Sequence, residues 1–378
     1  MMTRLILWVI GVFLFAPLLF LSSADAVEPI KIAAIFAKTG EAMVPNAGIF
    51  DGLRFATVEI NTNGGLLGRS VELVELDNQS TALGSKAAAE KAVREGVNAV
   101  IGGSRSSHAL AMASVLQAAH IPFISPSATV PELTAAGEYI FRTCFIDDFQ
   151  GKIMATFAIR DLNATTAVVL TNTGNKYSMG LARVFIEQYR KAGGEILLEG
   201  EYLEDVTDFE VVLKKVQSLN PQVVFVPGYV KDTGLIMKIA KELSIKLHYL
   251  GGDGWSEGLL SQYAGDAVEG SYTCSNWNKD NSDPLSRHFV ETFEKEYGRI
   301  TTFVIPLAYD ALMLLADAIV RANALDPPKI RDALAATKGF KGVTGNITFD
   351  EFRNPMNKSA VILKYEKGTT VYMKTFQP

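Results

Sequence analysis

Two segments of the sequence place hydroxyl and backbone N–H groups where they could hold an anion. Residues 101–107, with the sequence IGGSRSS, leave a predicted strand and enter a predicted helix. The free N–H groups and positive dipole end of a helix start favour a carboxylate, although Ser106 or Ser107 could simply cap the helix. Residues 124–133, ISPSATVPEL, form a second hydroxyl-bearing loop after the next strand. Because adjacent parallel strands end side by side, Ser106 and Thr129 are predicted to bind the same anion.

A carboxylate and two tyrosines follow strands in the second half of the chain. Asp253 is flanked by glycine on both sides and followed by Trp255. The glycines allow the backbone to approach a ligand closely. A carboxylate beside an aromatic ring suits an ammonium group, since it balances the charge and accepts hydrogen bonds. Tyr177 and Tyr229 also follow strands, where such residues are more often solvated or part of turns. The two sets of groups together predict a site for a small zwitterion.

Residues typical of enzyme and metal sites lack the spacing that those sites need. The four histidines are scattered, and none has metal-ligand spacing with Cys, His, Asp or Glu. The sequence contains neither a glycine-rich phosphate loop with Lys-Ser/Thr nor a Gly-x-Ser-x-Gly segment. Residues 251–254, GGDG, do not have dinucleotide-binding spacing. These absences favour a binding module over an enzyme, with no catalytic residue, metal or cofactor expected.

Alternating strand and helix patterns must position these residues. Short apolar, β-branched runs alternate with segments that have apolar residues at helical spacing, which predicts parallel sheets with helices on both faces. The predicted strands are 30–36, 71–76, 99–101, 122–125, 139–143, 167–170, 196–203, 223–226, 249–251, 358–365 and 371–375, the last two joined by a hairpin turn at 366–368. The predicted helices are 48–61, 83–95, 108–119, 150–162, 177–192, 209–219, 232–243, 284–297, 307–323 and 328–336. Such sheets bind ligands beyond the carboxyl ends of their strands, where the residues above lie.

The start of the chain has the pattern of a secretory signal peptide. Arg4 precedes an apolar run over residues 5–21, and small residues with an Ala-x-Ala pattern end at Ala26. Cleavage after Ala26 is therefore predicted, with an uncleaved membrane anchor as the alternative. The remaining roughly 350 residues suit two domains. No later apolar stretch approaches spanning length, so the mature chain is expected in the periplasm without membrane insertion.

Net charge limits the kinds of binding partner that are expected, and cysteine content limits the possible disulfide bonds. The formal charge is −5 without a cluster of Lys or Arg, so nucleic acid is not an expected partner. Cys144 and Cys274 could form one disulfide or remain two buried thiols.

Motifs spread along the whole mature chain resemble one family. They are residues 30–36 with Thr39 and Gly40, 61–68 (NTNGGLLG), 71–79, the Ser106 loop, 124–134, 141–143 through 150–151, 180–182, 208–209, 251–254, 308–311 and 343–350. In order and spacing, the sequence resembles the leucine/isoleucine/valine-binding proteins, the substrate-binding subunits of branched-chain amino-acid ABC transporters. The combination is specific, although no single motif is decisive.

The resemblance implies an α/β fold of two doubly wound parallel-sheet lobes. Three hinge crossings, near residues 145–149, 276–279 and 345–350, join the lobes in a Venus-flytrap arrangement, the type I periplasmic binding protein fold. The implied division is a signal peptide (1–26), lobe I (27–147 plus 278–346) and lobe II (148–277 plus 347–378). Cys144 and Cys274 would lie close to two adjacent hinge strands, and out-of-register crossing makes two free thiols the favoured outcome.

The resemblance also implies a role for each candidate ligand-binding residue. Ser106 and Thr129 match positions that hold the ligand carboxylate through hydroxyl and backbone N–H groups. Ser127 matches a position whose backbone carbonyl accepts from the ligand ammonium, and Ala128 of the same loop is included in the site. Asp253 matches the acidic partner of the ammonium. The second lobe adds two tyrosine contacts, which are Tyr177 and Tyr229.

Three residues depart from the family pattern at the side-chain end of the site. Pro45 stands where many relatives carry an aromatic lid, and Arg105 and Trp255 are larger than the common residues. The usual first-domain disulfide also has no counterpart. Leucine, isoleucine or valine is therefore not assumed as the ligand.

The main prediction is reversible capture of an amino acid or amino-acid-like zwitterion by lobe closure, with delivery to the permease subunits of an ABC transporter. The protein is expected to act as a monomer. The alternatives are a carrier of another small carboxylate, amide or aromatic acid, and a ligand sensor that signals to a receptor. Asp253 argues against a ligand that lacks a cation.

Overall fold

The computed structural model describes residues 28–378, so the predicted signal peptide lies outside the described residues. The strands are β1 (Ile30–Phe36), β2 (Val71–Asp77), β3 (Ala99–Gly102), β4 (Phe123–Ser125), β5 (Ile140–Arg142), β6 (Thr166–Asn172), β7 (Glu195–Tyr202), β8 (Val223–Phe225), β9 (Tyr249–Gly251), β10 (Tyr272–Ser275), β11 (Phe340–Gly342), β12 (Gly345–Ile347), β13 (Ala360–Glu366) and β14 (Thr369–Phe376). The α-helices are α1 (Met43–Thr62), α2 (Ala82–Arg94), α3 (Ser106–Ala118), α4 (Glu132–Ala135), α5 (Asp147–Arg160), α6 (Lys176–Lys191), α7 (Glu210–Leu219), α8 (Val230–Glu242), α9 (Glu257–Ala264), α10 (Pro284–Tyr297), α11 (Val304–Ala322) and α12 (Pro327–Ala335).

The first sheet has five parallel strands in the order β2-β1-β3-β4-β5. Successive side chains of a strand point to opposite faces, and β1 follows this rule. Ile30 and Ile32 pack into the cluster formed with α1 and α11, whereas Ala33 and Ile35 pack into the cluster formed with α2 and α3. Burial of both faces explains why the sequence of β1 is almost continuously apolar.

The second sheet has seven strands in the order β14-β13-β10-β9-β8-β6-β7. Strands β6 to β10 are parallel, and β13 and β14 add an antiparallel hairpin at one edge. Here too the side chains alternate. Ala167 and Val169 pack with α5 and α6, and Val168 and Leu170 pack with α7, α8 and α9.

The chain passes between the two sheets three times. It leaves the first sheet after β5, returns after β10 to form helices that pack on the first sheet and the separate two-stranded sheet β11–β12, and crosses again before β13. Ile347 and Phe349 still pack in the cluster of the first sheet, and the chain enters the second sheet at Ala360. The predicted fold class of two parallel-sheet lobes is thereby confirmed, whereas the residue boundaries of the lobes stay a prediction. We call the first sheet with its helices lobe I and the second lobe II.

Several elements differ from the prediction. Helix α1 begins at Met43 rather than at residue 48, because Pro45 lies in the first turn, where the missing N–H of proline costs no helical hydrogen bond. Strand β10, helix α9 and the short β11–β12 hairpin were not predicted. Within residues 28–378 no helix combines the length and apolarity needed to cross a bilayer.

Cys144 and Cys274 are buried free thiols, so the favoured outcome for this pair is confirmed. Cys274 lies in β10 opposite Ile362 of β13, and the Cys144 thiol donates to the Ala128 carbonyl at 3.4 Å. Burial raises the pKa of the Cys144 thiol to about 12, so it stays protonated and unreactive at neutral pH.

Candidate functional site

A pocket lies where the carboxyl ends of the two sheets face each other. It is a partly open cavity of about 40 Å³. Its wall comes from the residues after β1, β3, β4, β6, β8 and β9 and from the start of α11. The lining residues are Pro45, Asn46, Ile49, Ser104, Arg105, Ser106, Ser127, Tyr177, Tyr229, Val230, Asp253, Gly254, Ser256, Phe303 and Val304.

The lobe I side of the pocket carries a helix start without a side-chain cap. Ser106 is the first residue of α3, and Arg105 at the N-cap position makes no capping hydrogen bond through its side chain. The alternative of ordinary capping by Ser106 or Ser107 therefore does not describe this helix. Ser106 is buried and faces the pocket. The N–H groups and dipole end of a helix start, with a hydroxyl beside them, can hold a carboxylate, and the Ser106 N–H already contacts the Tyr229 hydroxyl of lobe II.

In the loop after β4, one residue lines the pocket and the next two lie in the core behind it. Ser127 lines the pocket, and its hydroxyl donates to the Ser104 carbonyl at 3.2 Å. Ala128 is fully buried, and its carbonyl accepts from Arg142 at 2.7 Å. The Thr129 carbonyl accepts from the Asp147 N–H at 3.0 Å. Ala128 and Thr129 therefore lie behind the lining residues in this closed arrangement.

The lobe II side of the pocket carries Asp253, a buried carboxylate held by amides. Its Oδ1 accepts from Gln150 Nε2 and its Oδ2 from Asn276 Nδ2, both at 3.2 Å, while its backbone N–H donates to Gln150 Oε1 at 3.2 Å. Gln150 lies in α5 and Asn276 directly follows β10, so both supports come from the segments that join the lobes. Amide donors stabilise a buried carboxylate and fix its direction toward the pocket.

A second buried carboxyl group, Asp147, lies behind Asp253. The same Gln150 Nε2 donates to Asp147 Oδ1 at 2.8 Å. Burial, and then the charge of Asp253, raise the pKa of Asp147 to about 7, although Thr129, Gln150 and Arg142 offset part of the effect. Two neighbouring buried carboxyl groups resist being charged together. Asp253 is the member of this pair that lines the pocket.

Two aromatic rings and a guanidinium form a stack along the lobe II wall. The Tyr177 and Tyr229 rings stack with centroids 5.2 Å apart, and the Arg105 guanidinium carbon lies 4.4 Å from the Tyr229 centroid. The Tyr177 hydroxyl accepts from the Gly254 N–H at 2.9 Å, which ties the ring to the Asp253 loop. Trp255, by contrast, is fully buried and donates to the Val226 carbonyl at 2.9 Å. The aromatic residues that line the pocket are Tyr177, Tyr229 and Phe303, and Trp255 lies behind them.

The side-chain end of the pocket is partly polar. Pro45, Ile49, Phe303 and Val304 provide apolar wall, whereas Asn46, Ser104 and Arg105 provide polar groups. Asn46 Oδ1 accepts from the Ala37 N–H at 3.1 Å and from the Ser104 hydroxyl at 2.9 Å. These two donors fix the orientation of the Asn46 amide.

A charged network crosses the cleft beside the pocket. Glu41, which follows β1, accepts from Arg105 Nη2 at 2.9 Å and from Lys231 Nζ of lobe II at 3.1 Å. Arg105 Nη1 also lies 3.8 Å from Glu204 Oε1, after β7 in lobe II. Burial raises the pKa of Glu41, but Arg105 and Lys231 outweigh it and leave the pKa below its usual value. Oppositely charged groups therefore join the two lobes.

Five of the predicted ligand-binding residues line one pocket: Ser106, Ser127, Tyr177, Tyr229 and Asp253. Sequence reasoning missed the contribution of Asn46, Asp147 and Gln150. The acidic residue at the start of α5 has the ordinary signal of a helix N-terminus, and Asn46 carries no signal beyond following Pro45. Within the described residues, no group of three or more His, Cys, Asp or Glu could hold a metal ion.

Comparisons with known proteins agree with this geometry. A family model described as periplasmic binding protein matches residues 29–370. A leucine-, isoleucine-, valine-, threonine- and alanine-binding protein of Pseudomonas aeruginosa is 30% identical over 354 residues, which cover 93% of this chain and 94% of the relative.

Two solved structures are also similar to this chain. The crystal structure of a leucine-binding protein of Thermotoga maritima has a TM-score of 0.88 and 33% identity, covering 92% of this chain and 99% of that one. A branched-chain amino-acid transporter substrate-binding protein of Streptococcus pneumoniae, in complex with isoleucine, has a TM-score of 0.88 and 30% identity, covering 93% and 100%. The family match covers nearly the whole described chain, and the structure has two sheets joined by three crossings with a pocket between their carboxyl ends. The chain therefore belongs to the periplasmic binding protein family and is a solute-binding protein.

Proposed function

We propose that this protein captures an amino acid or amino-acid-like zwitterion between its lobes and releases it unchanged. The observation that carries the proposal is that Ser106 of lobe I and Asp253 of lobe II line the same pocket. The uncapped start of α3 offers N–H groups to the ligand carboxylate, and Asp253 offers negative charge to the ammonium. Because each lobe binds one end of the ligand, binding favours the closed arrangement. No bond is made or broken in this cycle.

Relatives support the class of ligand. The similar proteins are named for binding leucine, isoleucine, valine, threonine and alanine. All of these carry the carboxylate and ammonium that the two ends of the pocket would hold. We infer that the head groups of the ligand are shared with these relatives, while the side chain is set by residues particular to this sequence.

We further propose that the protein works in the periplasm, as a monomer, and delivers its ligand to the permease subunits of an ABC transporter. The predicted signal peptide and the naming of relatives as transporter components support this assignment. We propose residues 28–147 and 278–346 as lobe I, and residues 148–277 and 347–378 as lobe II.

A thermal-shift screen of residues 27–378 against L-amino acids and small carboxylates tests the proposal. Ligand at about 1,000 times its dissociation constant should stabilise the folded protein by roughly 4 kcal/mol. The tightest ligand then goes to calorimetry with Asp253→Ala. We expect a loss of about 2–5 kcal/mol in binding free energy, because the ligand ammonium would lose a buried, charged hydrogen-bond partner.

The matched control is Asp280→Ala, which removes an exposed carboxylate outside this pocket and should leave affinity unchanged. Unchanged affinity in Asp253→Ala would remove Asp253 from the site. Tighter binding of an acid without an ammonium group, improved by Asp253→Ala, would instead support the carrier of another small carboxylate.

A further inference from the structure

The side-chain end of the pocket contains a buried amide with unused hydrogen-bonding capacity. Asn46 is 3% exposed and lines the pocket. Its Oδ1 is occupied by two donors, the Ala37 N–H and the Ser104 hydroxyl. Its NH₂ group makes no hydrogen bond within residues 28–378. Because Asn46 lines the pocket, this NH₂ group is a donor that a ligand atom can reach.

The orientation of this amide is fixed by a chain of hydrogen bonds. The Ser127 hydroxyl donates to the Ser104 carbonyl, and the Ser104 hydroxyl donates to Asn46 Oδ1. Turning the amide over would place its NH₂ group against two donors. The group presented to the pocket is therefore a donor.

Arg105 supplies further donors at the same end of the pocket. The guanidinium carries five N–H groups. Within the described residues it makes one hydrogen bond, from Nη2 to Glu41 at 2.9 Å, besides its 3.8 Å ion pair with Glu204. Arg105 and Asn46 both line the cavity, so this part of the wall offers several donors.

The charges around this end already balance. Arg105 and Lys231 are cations, and Glu41 and Glu204 are anions in contact with them. A neutral acceptor would satisfy the donors without adding an uncompensated buried charge.

We propose that the pocket selects an amino acid whose side chain ends in a neutral oxygen acceptor, an amide or a hydroxyl, bound by Asn46 Nδ2 and Arg105. The methylene or methyl part of that side chain packs against the apolar wall formed by Ile49, Phe303 and Val304. This inference rests on the proposed function, because it presumes that the head groups bind at Ser106 and Asp253. An apolar ligand of the same shape would leave the donors buried and unpaired, which is the strongest basis for discrimination between isosteres.

Isosteric ligand pairs test the proposal on the unaltered protein. Residues 27–378 are titrated in a calorimeter with L-threonine and L-valine, and with L-asparagine and L-leucine. In at least one pair the oxygen-bearing ligand should bind roughly tenfold or more tightly than its apolar partner. Tighter or equal binding of the apolar member in both pairs would overturn the inference while leaving the proposed function intact. Absence of binding by every L-amino acid would instead overturn the proposed function.

A variant that changes one donor into an acceptor gives a second readout. Asn46→Asp keeps an oxygen for the Ala37 and Ser104 donors but removes the NH₂ group. Affinity for the preferred ligand should fall by roughly tenfold or more. L-alanine has no side-chain acceptor, so its affinity should change much less.

Asn163→Asp is the matched control, because it adds the same charge at an exposed turn residue outside the pocket and should change neither affinity. Equal losses for the preferred ligand and L-alanine in Asn46→Asp would contradict a direct contact between Asn46 and the ligand side chain.

Discussion

Asp147 and Asp253 are two buried carboxyl groups that share one amide donor. Gln150 Nε2 lies 2.8 Å from Asp147 Oδ1 and 3.2 Å from Asp253 Oδ1. The pKa of Asp147 is raised to about 7 from 3.8 by burial and then by Asp253, whereas the solvated group in the unfolded chain keeps its ordinary value. A proton on Asp147 would favour a negative charge on Asp253, which the proposed binding of an ammonium group requires.

This difference in pKa predicts how stability changes with pH. The pKa of Asp147 is higher in the folded protein than in the unfolded chain. The stabilising contribution of Asp147 to the folded state is therefore fully present below about pH 3.8 and is lost as the pH rises through about 7. Asp147→Asn resembles the protonated acid, so the variant and the parent should be similarly stable near pH 4. Toward pH 8 the variant should become the more stable, by at most about 4 kcal/mol, since a pKa unit corresponds to about 1.4 kcal/mol.

Denaturant unfolding of both proteins at unit intervals from pH 4 to pH 8 measures this difference. Parallel profiles would show that Asp147 titrates as an ordinary carboxyl group. Asp161→Asn, which removes a carboxylate in a surface ion pair with Lys374, serves as the comparison and should follow the parent profile.

At the scale of elements, the turn after β9 depends on the absence of a side chain at Gly252. A Cβ there would lie 2.5 Å from Leu181 Cδ2 and 2.9 Å from Gln150 Oε1, and nearer still to the Tyr177 hydroxyl. The same turn carries Asp253 and donates the Gly254 N–H to Tyr177. The turn, α5 and α6 thus fit together at one point behind the ligand site.

Gly252→Ala should therefore displace the turn from α6. We expect a loss of about 1–3 kcal/mol in unfolding free energy from overpacking, together with a clear loss of ligand affinity. Gly180→Ala in α6 is the control, because its Cβ would make an ordinary 3.4 Å contact with Asp147 Oδ2. Helix propensity predicts that this control is slightly more stable than the parent. Unfolding curves and calorimetry on both variants measure these effects, and parent-like affinity in Gly252→Ala would refute the argument.

The sequence predicted those helices and strands in which apolar residues recur at the regular spacing of the element. Strand β1 was predicted with its observed bounds because its alternate residues are all apolar. Strand β10 was missed because Thr273 and Ser275 are polar residues that are nevertheless buried, and the Thr273 hydroxyl is satisfied by the distant Gly252 carbonyl at 2.8 Å. Period alone does not distinguish such a strand from a loop.

The same limit applies to the candidate site. Asp253 could be predicted because glycines flank it just after a strand. Asn46 could not, since its orientation depends on Ser104, a contact between residues far apart in the chain. The raised pKa of Asp147 likewise depends on Asp253 and on burial, which only the folded arrangement provides.

At the scale of the whole molecule, the charged network beside the pocket joins the lobes. Lys231 of α8 donates to Glu41 of lobe I, and Arg105 of lobe I lies over Tyr229 and near Glu204 of lobe II. Lys231 is half-exposed, so its ion pair with Glu41 contributes modestly and is screened by salt.

Lys231→Met should shift the protein toward the open arrangement. We expect ligand affinity to fall by up to about fivefold at low ionic strength, the scale of one exposed ion pair. The loss should shrink in 1 M NaCl. Calorimetry at both salt concentrations, with small-angle scattering to follow lobe closure, provides the measurement.

Lys241→Met is the matched control, because Lys241 lies on the same helix but pairs with Asp266 in its own lobe. An affinity loss in Lys231→Met no larger than in Lys241→Met would argue against a role of the network in closure.

Arg105 takes part in both the pocket wall and the bridge between the lobes. Substitutions at this position that broaden the range of accepted ligands should also shorten the residence time of whatever is bound. One side chain therefore affects both ligand selectivity and the rate of ligand release. A biosensor built on this scaffold would need compensating changes elsewhere, for example at Glu204 or Lys231, to alter its ligand without altering its response time.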